Sequence, residues 1–107
     1  MTNEEIEMIT VEIIAYAGDA RSKYMGALTA ANDADYVQAE QFIQEGNELI
    51  TQAHNAQTNM IQMEAAGEDI KVNFLTVHAQ DHLMTAMLLR DLIKNLVNLY
   101  KKVNYFQ

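Results

Sequence analysis

The sequence predicts an all-α protein, an antiparallel up-down-up bundle of three long helices that associates with further copies of itself. Three observations lead there. The 107 residues contain no proline and only four glycines, so long helices can run unbroken. Apolar residues recur at three- and four-residue steps over three stretches of about 30 residues each. The last of these stretches carries more apolar residues than the core of one bundle needs.

The first helix is expected from Asn3 to Ala31. Thr2 with Glu5 fits a capping box, in which each side chain satisfies a free amide of the first turn. Ile6, Ile9, Ile13, Ala17, Ala20, Tyr24, Leu28 and Ala31 form one face. Gly18 and Gly26 interrupt the pattern, and each costs up to about 1 kcal/mol against alanine. Close helix packing is the expected reason for both.

The second helix is expected from Tyr36 to Ala65, with Asp35 as its N-cap and Gln38 three residues on. Ala39, Ile43, Leu49, Ala53, Ala56, Met60 and Met63 give its apolar face, and Gly67 is a natural stop. The third helix is expected from Phe74 to Val103, with Asn73 as its cap. The segment from Ile70 to Val77 is rich in β-branched residues, but a lone strand would have no partner. It reads as a loop leading into the helix. The connections at Asn32–Ala34 and Gly67–Val72 are short, which makes successive helices antiparallel neighbours. With no internal repeat, low-complexity segment or linker, residues 1–107 read as one domain.

Each helix would be about 45 Å long at about 1.5 Å per residue. Three such rods enclose a narrow core. Between Phe74 and Val103, 17 of 30 residues are apolar, where a core-facing helix needs about 13. Within Leu83–Ile93 the count is 8 of 11. Such a helix must be buried on more than one side, and the simplest burial is self-association through it with cyclic symmetry. The competing explanation is a fat intramolecular core.

Charge and composition exclude several functions. Seven basic and 15 acidic residues give a formal net charge of −8, and the pI is near 4.6. Such a surface repels nucleic acid and anionic membranes. No cysteine is present, which removes disulfides, thiolate metal sites and cysteine nucleophiles. No apolar run reaches the roughly 20 residues needed to cross a bilayer, and no secretory signal is visible. The expectation is a cytoplasmic protein. Glycine-rich phosphate loops, dinucleotide fingerprints and Ser-His-Asp patterns are missing. If the chain handles phosphate, a partner protein must deliver it.

Chemistry is concentrated in Val77-His78-Ala79-Gln80-Asp81-His82-Leu83-Met84-Thr85. On a helix, Asp81 lies about 60° to one side of His78, His82 about 40° to the other and Thr85 about 20° away. These four form one polar patch on a stripe that is apolar at both ends, while Gln80 points to the opposite side. Three readings compete. His-x-x-Asp-His is close to the motif of some helical zinc enzymes, and histidines at i and i+4 can share an ion. A neutral imidazole can instead attack a phosphoryl group and hold it as a phosphoramidate. The third reading is a polar layer that fixes the register of a helical interface. His54, on the second helix, reads as structural or solvent-exposed, and the seven methionines as core filler.

The sequence resembles the lactose/cellobiose-type enzyme IIA components of the bacterial phosphoenolpyruvate-dependent sugar phosphotransferase system. The resemblance rests on Glu12-Ile13-Ile14-Ala15-Tyr16-Ala17-Gly18-Asp19-Ala20-Arg21-Ser22, on Ala53-His54 with Gln57-Thr58, and on the Val77–Thr85 segment. It covers essentially the whole chain. It implies a three-helix bundle assembled as a homotrimer. It implies that His78 is phosphorylated on Nε2 by the phosphocarrier HPr and passes the group to the cognate enzyme IIB. That protein in turn phosphorylates a sugar entering through the membrane component IIC. It also places Asp81 on the trimer axis as the ligand of one shared Mg2+, a hard ion suited to oxygen ligands. Gln80 and His82 match the motif as supporting residues, and His82 could donate a hydrogen bond to the phosphoryl group. A non-catalytic interaction or metal-binding protein of the same fold is the alternative.

Overall fold

A computed structural model describes residues 2–105 of the chain. It contains three helices, α1 (Asn3–Asn32), α2 (Tyr36–Ala65) and α3 (Phe74–Tyr105), with no strand among the described residues. The bundle is a rod of 57 × 20 × 17 Å. α1 packs extensively on both other helices, whereas α2 and α3 touch each other least.

Local chemistry sets the ends. Thr2 Oγ1 accepts the Glu5 amide at 3.1 Å, which is one half of the expected capping box. The other half differs: the Glu5 carboxylate accepts the Thr2 hydroxyl at 3.3 Å. Asp35 Oδ1 accepts the Gln38 amide. Asn73 caps α3 reciprocally, its Oδ1 taking the Thr76 amide at 3.0 Å while Thr76 Oγ1 takes the Asn73 amide at 2.9 Å. α2 ends where Gly67 adopts φ 98°, a left-handed conformation that lets the Glu68 amide reach back to Met63 O.

Small residues bring the helices close. Ala17, Ala20, Ala27 and Ala31 of α1, Ala39 and Ala53 of α2, and Ala79 and Ala86 of α3 are buried among Ile13, Ile43, Ile50, Leu83 and Ile93. Tyr24 is the largest fully buried side chain, and its hydroxyl donates to Asn47 Oδ1 at 2.7 Å. Burial pushes the Tyr24 phenol up to about 12, with nearby Arg90 lowering it and Asp91 raising it. Of the two glycines of α1, Gly26 meets the packing expectation, since a Cβ there would lie 3.2 Å from the Phe42 ring. Gly18 does not, because a Cβ on it would meet nothing within 4 Å. The tightest glycine is Gly46, whose Cβ would fall 2.7 Å from Tyr24 Cε1.

The surplus apolar residues of α3 do not build a fat core. Its buried face is Ala79, Leu83, Ala86, Ile93 and Val97. Roughly opposite, at about 100° per residue, run Val77, Asp81, Met84, Leu88, Leu92, Asn95, Leu99 and Val103, all exposed. Leu88 alone is 60% exposed. This is a contiguous apolar stripe along most of the rod, of the kind that marks an interaction surface.

Candidate functional site

The predicted site residues lie on the first turns of α3, just past the Asn73 cap. His78 is exposed and His82 half-buried. Their one-turn spacing brings the rings together edge to face, with centroids 4.4 Å apart and planes at 77°. His82 Nδ1 is enclosed and has no hydrogen-bond partner. Nδ1 is unsatisfied with or without a proton, so Nε2 is the nitrogen of His82 left to meet an incoming group.

The remaining members of the patch divide. Thr85 spends its hydroxyl on the backbone, donating to Asp81 O at 2.7 Å. Asp81 is exposed, and its carboxylate has no hydrogen-bond or ion-pair partner among the described residues. Gln80 faces away from the histidines, as its position on the helix requires, and its Oε1 accepts Gln57 Nε2 of α2. The identity of that partner was not readable in the sequence, where Gln57 carries no chemical signal of its own. Gln80 and Asp81 also line a groove of about 330 Å³ with Thr10, Ile13, Met60 and Glu64, which His78 does not enter. The site region is thus flanked by two surfaces, with the histidines on one side of the exposed stripe and Gln80 on the other.

His54 is exposed and takes no part in the histidine pair. Among the described residues of one chain, no three His, Cys, Asp or Glu side chains converge to hold a metal ion. The single-chain zinc arrangement that the His-x-x-Asp-His spacing admits is therefore not assembled here. What is assembled is an accessible imidazole backed by a second one, on a small helical rod.

Residues 8–101 match the family model described as PTS system, Lactose/Cellobiose specific IIA subunit. A lactose-specific EIIA component of Staphylococcus epidermidis is 53% identical over 102 residues, covering 95% of this chain and 98% of that protein. The lactose-specific EIIA component of Streptococcus mutans is 47% identical over the same length. The crystal structure of the cellobiose-specific enzyme IIA from Bacillus anthracis superposes with a TM-score of 0.91 at 38% identity, covering 98% of this chain and 94% of that one. The IIA(Chitobiose) of Escherichia coli, determined in solution as a complex with HPr, gives a TM-score of 0.77 at 34% identity, with coverage of 92% and 96%. This chain belongs to the lactose/cellobiose-specific IIA family of the phosphotransferase system. No described helix is long and apolar enough to cross a membrane.

Proposed function

We propose that this chain is a cytoplasmic phosphocarrier that accepts a phosphoryl group from phospho-HPr on His78 and passes it to its cognate enzyme IIB. The sugar phosphorylated downstream, on entry through IIC, is a β-linked disaccharide of the lactose, cellobiose or chitobiose type. The observation that carries this reading is the exposed His78 ring, held edge-on to His82, in a chain of the IIA family. The complex of the Escherichia coli relative with HPr supports HPr as the donor.

The chemistry needs little apparatus. A lone pair on Nε2 of His78 attacks phosphorus as the bond to the donor breaks, and in a second displacement a nucleophile of IIB attacks phosphorus as the P–N bond to His78 breaks. Such transfers depend on positioning and charge stabilisation rather than on acid–base work. His82 Nε2–H supplies one donor to a phosphoryl oxygen, and a hydrogen bond to a charged group is worth about 1.5–3 kcal/mol.

The whole chain acts as one domain with its helices running up, down and up. The close approaches of Gly26 to Phe42 and of Gly46 to Tyr24, and the hydrogen bonds Gln57–Gln80 and Tyr36–Tyr100, support that sense. Three copies would pack through the exposed stripe of α3, which gives the surplus apolar surface a place to go. In such a ring Gln80 supports the site in trans. It points away from its own His78, but the flank it occupies faces the histidine flank of the next copy.

One Asp81 is not a metal site. Three of them converging on an axis would be, since like carboxylates in contact need a cation or a proton. The donors are all oxygen, which fits Mg2+, and the ion would supply charge neutralisation and hold the ring together. Neither nucleic-acid binding nor insertion in the bilayer belongs to this function.

The test is intact mass after incubation with phosphoenolpyruvate, enzyme I and HPr. The wild type should gain one phosphoryl group (about 80 Da) per chain, lost on acid treatment, and His78→Ala should gain none. A wild type that gains nothing with active HPr overturns the phosphocarrier reading.

A further inference from the structure

Around Asp81 the exposed face of α3 keeps a strict spacing. Phe74, Val77, Asp81, Met84 and Leu88 follow one another at steps of three, four, three and four residues. This is the spacing with which helices pack side by side in layers. All five are exposed in the single chain. Asp81 is the one charged member, and two apolar positions stand on either side of it.

Packing three copies through α3 brings the Asp81 carboxylates together, and the spacing then decides what else arrives with them. Val77 lies one turn before Asp81 and Met84 one turn after it, both within about 60° of it around the helix. Where three Asp81 side chains converge, three Val77 and three Met84 side chains must converge as layers beside them. Those layers are about 10 Å apart at about 1.5 Å per residue, so the carboxylates and one hydrated ion fill the space between. Phe74 and Leu88 back them a turn further out. Thr85 covers the flank, since its hydroxyl is spent on Asp81 O at 2.7 Å and leaves the methyl group outward. An ion held by Asp81 is then walled in by apolar side chains. Crossing such a layer strips a divalent ion of water and offers nothing in exchange. Mg2+ in particular gives up its water reluctantly.

We infer that Val77 and Met84 seal the Asp81 compartment, so that its cation enters and leaves only when the copies separate. This rests on the proposed trimer and its shared ion. The ion is then a clasp and not a freely exchanging ligand. Three carboxylates closed in without it repel one another, so loading the ion and closing the ring become one event. The residence time of the ion equals the lifetime of the closed assembly.

The experiment measures two rates on protein loaded with Mn2+, a hard ion that takes oxygen ligands. Native mass spectrometry follows loss of Mn2+ into excess EDTA. The same method follows exchange of subunits between unlabelled and nitrogen-15-labelled trimers. In wild type the two rates should agree within about twofold, and more EDTA should not speed the loss. Val77→Ser combined with Met84→Ser admits water beside the carboxylates, and loss should outrun subunit exchange by about tenfold or more. Both positions are exposed in the single chain, so the helices themselves should form as in wild type. The ratio of the two rates is the readout, so a trimer that merely opens faster does not imitate a leak. A wild type that loses Mn2+ well before it exchanges subunits would overturn the inference, as would a ratio unchanged in the double variant. A wild type that is monomeric, or a trimer that retains no Mn2+, would instead sink the underlying assembly or its ion.

Discussion

The His82 ring meets the His78 ring edge to face with 4.4 Å between centroids, while the inner nitrogen of His82 is enclosed without a partner. The pair is asymmetric. One imidazole is exposed, and the other is half-buried with only its outer nitrogen left to meet a ligand. That division of labour comes from a single turn of helix separating an exposed position from a half-buried one.

Replacing His82 tests the donor role. His82→Ala should slow phosphoryl transfer from HPr by about 10- to 100-fold, the loss of one hydrogen bond to a charged group. Its circular dichroism should match wild type. An unchanged rate in a stopped-transfer assay would reduce His82 to packing.

The Asp81 carboxylate lies one turn from the site, and its negative charge disfavours a phosphorylated neighbour. Asp81→Asn should move both transfer equilibria, with HPr and with IIB, toward the phosphorylated form of this chain. It should also remove the dependence of trimer stability on divalent cations. Equilibria that stay where they are would dismiss the electrostatic role.

Gly46 of α2 and Gly18 of α1 should respond to alanine in opposite directions. Gly46→Ala drives a Cβ into the Tyr24 ring and should cost about 1–3 kcal/mol in a thermal or urea melt. Gly18→Ala puts a methyl group into open space on a helix and should stabilise the fold by about 0.5–1 kcal/mol. A Gly46→Ala protein as stable as wild type would show that the Tyr24 ring can move aside.

Tyr24 sets an alkaline limit. Burial raises its folded-state value to about 12, above the ordinary 10. Its stabilisation is complete below pH 10, where both states are protonated. It is lost as pH rises from about 10 to about 12, because only the unfolded chain releases the proton. The loss should total about 2–3 kcal/mol. Tyr24→Phe should flatten that part of the stability profile. A profile in Tyr24→Phe as steep as in wild type would assign the alkaline transition to other groups.

Much of this architecture was legible in the sequence because its signals are local. The caps at Thr2, Asp35 and Asn73, the stop at Gly67 and the one-turn spacing of the histidines depend only on neighbours along the chain. The pairing of helices does not. Gly46 is not legible as a core position because its burial depends on where Tyr24 arrives from another helix, and Ile50, beside the expected Leu49, is the fully buried one of the two. The Gln57–Gln80 bond stayed invisible for the same reason. The sequence offers the same packing expectation for Gly18 and Gly26, and only the position of Phe42 separates the two. On α3 the apolar surplus could be counted, but which residues were left outside required the other two helices to be in place.

The unequal packing of the rod has a consequence for how it yields. α1 is clamped by both neighbours, and α2 and α3 are tied to each other weakly. Backbone amides along α1 should therefore be the last to exchange with deuterated solvent, and the α2–α3 seam should open at the smallest free energy. Gln80 and Gln57 bridge that seam on the flank turned away from the histidines.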